Sequence, residues 1–230
     1  MAAPIPLHFA LKPAPLTQQA AAIIKDRILT GELSPGERLV EQQLAKALGV
    51  GQNVIREALI DLAHRGFVRR ETNRGTYVMS LTQEEAIKLG QVRAVLEVLA
   101  VETAARRAAH EPLNFSELDR RLAQMKAAAL AQNREEFYHH DLKFHEALWN
   151  LADNPFLSQA LEQIVAPLFA FFIMLYMRRT DSVDSALEAV APHERVVQHL
   201  KAADTAGSVE AMRDLLAFAL RSQHELIPQE

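Results

Sequence analysis

The chain has 230 residues, of which 49% are hydrophobic, so it can bury the core of one large domain or of two small ones. It contains no cysteine, which excludes disulfides, zinc ribbons and thiol nucleophiles and suits a reducing cytoplasm. Residues 1–80 hold ten Lys and Arg against seven Asp and Glu, whereas residues 81–230 hold 15 against 22. A basic front half and an acidic back half fit a division between nucleic-acid binding and another task.

Neither the N-terminal residues nor the longest apolar run indicates a membrane protein or a secreted protein. The first residues, MAAPIPLHFALKPAPL, have four prolines and no basic region, so residues 1–15 are predicted to form a flexible arm and not a signal peptide. The longest apolar run, Ile164 to Met177, is short for a membrane span and contains Pro167. We therefore expect a buried core helix there, no membrane partner and a cytoplasmic protein.

Residues 16–80 predict three short helices followed by a β-hairpin. Apolar residues recur at helical spacing, Pro35-Gly36 marks a turn, and glycines follow each helix. The predicted helices are Leu16–Leu29, Val40–Leu48 and Gln52–His64, and the predicted strands are Phe67–Arg70 and Thr76–Met79. This order is typical of a winged helix-turn-helix.

Residues 81–230 predict an all-helical domain. Thr82 and Glu85 form a capping box, and Asn154-Pro155 is an N-cap followed by proline at the first helical position. The predicted helices run from Thr82 to about Ala109, Ser116–Ala131, Arg134–Leu151, from about Phe156, Asp181–Ala203 and Val209–Leu226. The predicted fold is therefore mostly α, with an N-terminal winged helix-turn-helix, a boundary near residue 80 and a C-terminal helical bundle.

The third helix is the candidate recognition helix. It begins at Gln52 and Asn53, whose amides have the donors and acceptors that read base edges, and Arg56 lies one turn further on. Four more arginines are placed for phosphates or the minor groove: Arg38, Arg69, Arg70 and Arg74. The alternative is that these arginines are ordinary solvated charge.

The second half contains a candidate metal pair. Asp141 and His145 are four residues apart, so they share one face of a helix and offer oxygen and imidazole ligands that suit zinc, nickel, manganese or iron. His193 and His199 lie on a later helix, and their spacing of six puts them on different faces. A plain buried hydrogen-bonded pair is the alternative for Asp141 and His145.

The front half resembles the DNA-binding half of the GntR family of bacterial regulators. The resemblance covers about residues 16–79 and lies in PGERL, E-x-x-LA, LGV, REAL-x-x-L and the RG-x-x-V of the wing. It implies that Arg38, Arg56, Arg74 and Gly75 touch DNA. Where the family usually has an arginine that contacts a guanine, this chain has Gln52, so its base preference is expected to differ.

The back half resembles the FCD effector domain of the FadR-type branch of that family. The similar stretches are VRAVLEVLAVETAA, DLKFHEALWNLADNPFL and HERVVQHLKAADTAGSVEAM. The resemblance implies that Asp141, His145 and His193 are metal ligands and that Arg93 faces a small carboxylate. The family's fourth ligand falls on Leu215, so a metal would have three protein ligands, or the site has lost the metal and binds an anion through Arg93 and the histidines.

Three hypotheses follow for the whole chain. The first is a transcription regulator that binds inverted-repeat, double-stranded operator DNA as a homodimer and responds to a small organic, sugar or amino acid. The second is an enzyme with a two-His-one-carboxylate metal centre, which leaves the front half unexplained. The third is an architectural DNA-binding protein whose helical half only dimerises. The sequence favours the first and requires no catalytic residue.

Overall fold

The structure is a computed structural model that describes residues 15–177 and 184–224, so most of the predicted N-terminal arm lies outside the described residues. Its N-terminal part contains three helices and a small sheet, and the second and third helices are joined by a tight turn at Gly49, whose φ is +66°. The elements are α1 (Leu16–Thr30), β1 (Arg38–Leu39), α2 (Glu41–Leu48), α3 (Gln52–His64), β2 (Val68–Glu71) and β3 (Gly75–Val78).

A small apolar core holds α3 against α1. Ile24 and Ile28 of α1 and Ile55, Leu59 and Leu62 of α3 are almost completely buried, and they follow the helical spacing expected from the sequence. This buried stripe fixes α3 in place, and Gln52 and Asn53 in its first turn stay exposed.

The wing has three strands, not two. β2 and β3 form the predicted antiparallel hairpin, and β1 pairs with the other edge of β3, with Arg38 opposite Tyr77. The sequence predicts the turn at Pro35-Gly36 but not the strand β1 that follows it. A two-residue strand is too short to show alternation, and the Val78 amide donates to the Glu37 carbonyl to hold it in place.

The C-terminal part is entirely helical in the described residues. The predicted capping box is present, since the Glu85 amide donates to Thr82 Oγ1 and the Thr82 amide to Glu85 Oε2. The last helix starts at Thr205, four residues before the predicted Val209, because the Asp204 carboxylate caps it by accepting from the Gly207 amide. The helices are α4 (Gln83–Ala108), α5 (Ser116–Leu130), α6 (Arg134–Leu151), α7 (Pro155–Met177), α8 (Asp184–Lys201) and α9 (Thr205–His224).

Helix α7 belongs to both hydrophobic cores. Leu157, Leu161 and Val165 pack into the core of the helical domain, whereas Phe171 and Ile173 pack into the core that contains α1 and α3. Among the described residues, α7 is the one helix long and apolar enough to cross a membrane, but 56% of its most apolar 18-residue stretch is buried, as in a core helix. The helix continues through its proline.

The turn after α3 rests directly on the α7 backbone. Gly66 has a φ of +77°, and a Cβ built on it would lie 2.5 Å from the nitrogen of Pro167 and 2.6 Å from the carbonyl carbon of Ala166. An ion pair of 2.7 Å between Lys25 Nζ of α1 and Glu135 Oε1 of α6 joins the same two parts of the chain. The end of the candidate recognition helix is thus in backbone contact with the helical domain.

Candidate functional site

The residues predicted to contact DNA are all exposed. Gln52 and Asn53 are the first two residues of α3, and Arg56 follows on the same helix. Arg56 is engaged within the protein, since its Nη2 donates to Glu41 Oε2 at 3.0 Å and its Nε at 3.2 Å. This ion pair at the start of α2 fixes the direction of the guanidinium, and Glu41 raises the pKa of Arg56.

The wing brings a second group of predicted residues together. Gly75 lies under the Arg38 side chain, because a Cβ built at Gly75 would be 3.2 Å from Arg38 Nε. Arg38, Arg70 and Gly75 line one shallow cleft between the wing and the start of α2. Arg74 is at the tip, and its Nη1 is 3.9 Å from Glu71 Oε2. The glycine therefore lets Arg38 lie flat along the wing.

The predicted metal ligands meet between α6 and α8. Asp141, His145 and His193 offer ligand atoms that all lie within 4.8 Å of one another. His193 Nε2 is 3.0 Å and His145 Nε2 is 3.5 Å from Asp141 Oδ1. Both histidines are buried, with 1% and 3% of their surface exposed. His199 is on the outer face of α8, as its spacing predicts, and its Nδ1 donates to Asp204 Oδ2 at 2.8 Å.

Each histidine has a second partner that orients its ring. His193 Nδ1 is 2.7 Å from the Ala189 carbonyl oxygen, which only accepts, so Nδ1 carries the proton and Nε2 faces the cluster. His145 Nδ1 is 2.6 Å from Glu97 Oε2, a close contact whose angles lie outside those of a hydrogen bond. This pattern, in which a carbonyl or carboxylate holds the far nitrogen, is the usual environment of metal-bound histidine.

Glu97 is a site residue that the sequence reasoning missed. It is fully buried on α4, and Arg93 Nε donates to its Oε1 at 2.8 Å. Burial raises the pKa of Glu97, but Arg93 and His145 together outweigh burial and lower it to about 2. Arg93 and Glu97 are four residues apart on a predicted helix, so the sequence contained enough information to predict an ion pair between them.

Arg93 connects this acid to the ligand cluster. Its Nη2 donates to His145 Nε2 at 3.1 Å, and its guanidinium lies over the Phe169 ring at 4.7 Å from the centroid. Only 4% of the residue is exposed. Arg93 and the three candidate ligands line one pocket, and Leu215 of α9 forms part of its wall, so that position supplies no ligand atom.

The donor set fits a divalent metal. Neutral His193 would turn the Nε2 lone pair toward the Asp141 carboxylate at 3.0 Å, which places two acceptors in contact unless a proton or a cation joins them. At the angles of octahedral and tetrahedral sites, ligand atoms about 2.1 Å from one metal ion lie roughly 3.0–3.4 Å from each other. The distances from Asp141 Oδ1 to the two histidine Nε2 atoms, 3.0 and 3.5 Å, are close to this range. The metal role of the three residues stays a prediction.

Comparison with known proteins gives the family. The model of the gntR family of bacterial regulatory proteins matches residues 16–78, and the FCD domain model matches residues 88–218. The chain is 34% identical over 154 residues to the HTH-type transcriptional regulator YdhC of Bacillus subtilis (strain 168), which covers 66% of this chain and 68% of that protein. It is 27% identical to the gluconate operon transcriptional repressor of the same organism, over 82% of this chain and 77% of the repressor.

Solved structures show the same fold. McbR/YncC of E. coli has a TM-score of 0.70 at 21% identity, covering 93% of this chain and 99% of its own. A GntR transcriptional regulator of Rhodococcus sp. RHA1 has a TM-score of 0.67 at 22% identity, covering 90% and 96%. The chain belongs to the GntR family of bacterial regulatory proteins and contains an FCD domain. Family members are DNA-binding transcription regulators and not enzymes, so the enzyme hypothesis is wrong.

Proposed function

We propose that this protein is a cytoplasmic regulator that binds an inverted repeat in double-stranded operator DNA as a homodimer and responds to a small carboxylate. One observation carries the proposal: an exposed helix-turn-helix packs by its backbone against a helical domain that buries an arginine beside an Asp-His-His cluster. We divide the chain near residue 80. Residues 16–80 would bind DNA, and residues 81–230 would sense the effector and dimerise.

Exposed apolar side chains support a homodimer. Val92, Val95 and Leu99 lie on one face of α4 at helical spacing, and 46%, 69% and 46% of their surfaces are exposed. A contiguous apolar stripe of this kind is typical of an interface. A second copy of the chain is the occupant we favour, because a helix-turn-helix protein that reads an inverted repeat needs two-fold symmetry.

The DNA contacts would divide by type. Gln52 and Asn53 at the start of α3 would read base edges, while Arg38, Arg74 and the Gly75 backbone of the wing would hold phosphates or the minor groove. Arg56 would contact DNA with the guanidinium nitrogens that Glu41 does not occupy. Gln52 in place of an arginine favours adenine over guanine at the corresponding base pair.

Replacing Arg56 or Arg38 with alanine is expected to weaken operator binding about tenfold or more, because each loss removes a charge-assisted contact. The slope of log Kd against log salt should fall by about 1 where the lost contact is to a phosphate. Fluorescence anisotropy with DNA selected from a random library measures both. Arg106→Ala is the control, since Arg106 is exposed on α4 and pairs only with Glu102 in the described contacts. Equal affinities for all three variants would refute this surface.

The charges of the pocket explain why a metal would help an acid to bind. Among the described residues of the cluster, Arg93 is the one guanidinium and Glu97 and Asp141 are two carboxylates with lowered pKa values, so these three charges together are negative. A carboxylate would be repelled from such a site. A divalent ion held by Asp141, His145 and His193 would reverse the sign and act as a Lewis-acid partner for the carboxylate. Arg93 Nη2 would then be left free to donate to the same carboxylate.

Removing metal with a chelator is expected to lower the melting temperature of the protein by about 5–10 °C, since saturating metal stabilises only the folded state. Asp141→Asn should abolish this response to added Zn²⁺, Ni²⁺ or Mn²⁺. His199→Gln is the matched control, because His199 lies on the same helix as His193 but on its outer face. If neither chelator nor any metal moves the midpoint, the metal proposal fails, and Arg93 with the histidines becomes the anion site.

A further inference from the structure

The wall of the effector pocket is aromatic. Thirteen described residues line it, and only Arg93, Asp141, His145 and His193 have a guanidinium, carboxylate or imidazole side chain. Six of the other nine are aromatic: Phe137, Tyr138, Phe169, Phe172, Tyr176 and Phe218. The remaining three are Ala189, Leu215 and Ala219. The pocket therefore has a polar end formed by four residues and an apolar body formed by all the rest.

The two tyrosines add little hydrogen-bonding capacity. The rings of Tyr138 and Tyr176 are stacked with centroids 4.7 Å apart, and their hydroxyls interact with each other. Among the described lining residues there is no Asn, Gln, Ser or Thr. Away from these two hydroxyls, a ligand hydroxyl buried against this wall would lose its bonds to water without finding a partner, at a cost of about 1–3 kcal/mol each.

We infer that the effector is a small monocarboxylate with an aromatic or other apolar body, and that the pocket discriminates against polyhydroxylated acids. The carboxylate would sit at the polar end beside Arg93, and the apolar body would pack on the Phe169, Phe172 and Phe218 rings. Leu215 extends the apolar wall at the position where the FCD resemblance implies a histidine. The inference rests on the proposed carboxylate-responsive function and narrows its ligand class.

Thermal melting and calorimetry of the full-length protein with saturating Zn²⁺ test this inference with four probes. Phenylacetate and cyclohexanecarboxylate carry a carboxylate on an apolar body, gluconate carries it on a polyhydroxylated one, and benzyl alcohol lacks it. We expect the two apolar acids to bind at least about tenfold more tightly than gluconate, and benzyl alcohol to bind more weakly than phenylacetate.

Phe218→Gln is the diagnostic variant, because Phe218 is only half-buried and an amide there adds polar groups to the wall. This variant should lower the ratio of the Kd for gluconate to the Kd for phenylacetate by about threefold or more. Phe156→Gln is the control, since Phe156 is 83% exposed at the start of α7 and should leave the preference unchanged.

The possible outcomes distinguish the inferred preference for apolar acids from the proposed response to carboxylates in general. Tighter binding of the apolar acids, narrowed by Phe218→Gln alone, supports the inference. If gluconate binds as tightly as phenylacetate or more tightly, the inference is overturned while carboxylate sensing stands. If no acid binds although Zn²⁺ and DNA do, both the carboxylate proposal and the inference drawn from it are overturned.

Discussion

Glu97→Ala is expected to lower the free energy of unfolding by about 3–5 kcal/mol, because it removes the carboxylate that forms the buried ion pair with Arg93 in the core. Both side chains are almost completely buried, and the Arg93 guanidinium cannot lose its proton to escape the cost. The same variant removes the carboxylate beside His145 Nδ1. A loss of this size is a large fraction of the stability of a typical domain, which is about 5–15 kcal/mol.

Helix α4 also supplies a matched control for this prediction. Glu102 and Arg106 have the same spacing of four, but 34% and 69% of their side chains are exposed. Glu102→Ala should therefore cost less than about 1 kcal/mol in urea denaturation. The double variant Arg93→Met/Glu97→Leu should recover most of the loss, since an apolar pair replaces a buried ion pair at little cost. Equal effects of Glu97→Ala and Glu102→Ala would contradict the buried pair.

Gly66→Ala is expected to destabilise the protein by about 2–4 kcal/mol, through backbone strain and overpacking together. The residue has a φ of +77°, which disfavours any side chain. Its new Cβ would lie 2.5–2.6 Å from backbone atoms of Ala166 and Pro167, which cannot rotate away as a side chain can. The turn after α3 must then move off α7, so amide exchange in both segments should rise.

Gly49→Ala separates strain from crowding. Gly49 has a similar φ of +66°, but nothing lies within 4 Å of a Cβ built there. Its substitution should cost only about 1 kcal/mol. If Gly66→Ala costs no more than Gly49→Ala, the backbone contact between the recognition-helix turn and α7 contributes no stability.

Most of the fold could be predicted from the sequence because helix signals are local. Helix α3 runs from Gln52 to His64 as predicted, since Gly66 follows it and its apolar residues keep one spacing. Strand β1 could not be predicted, because two residues carry no periodicity and its partner β3 lies almost 40 positions away. The predicted start of α9 at Val209 is four residues too late, because that prediction takes no account of the cap at Asp204.

The candidate site could be predicted only in part. The spacing of Asp141 and His145 alone puts them on one face of a helix. Their approach to His193 depends on how α8 packs in the bundle, so only the family resemblance predicts that the three residues lie together. The sequence predicts a buried core helix that contains Phe169 and Phe172, and these two residues also line the pocket. Burial of Glu97 depends on tertiary packing that no local pattern encodes.

The proposed function requires that a metal and a carboxylate bound in the helical-domain pocket change the affinity of the protein for DNA. Operator binding measures this effect directly. The full-length protein would first select its site from a random duplex library. The Kd for that duplex would then be measured with chelator, with Zn²⁺, and with Zn²⁺ plus phenylacetate. We expect the Kd to change by about fivefold or more between the first and last conditions, the usual size of an allosteric coupling. The same Kd in all three conditions would contradict it and would favour a DNA-binding protein whose helical half only dimerises.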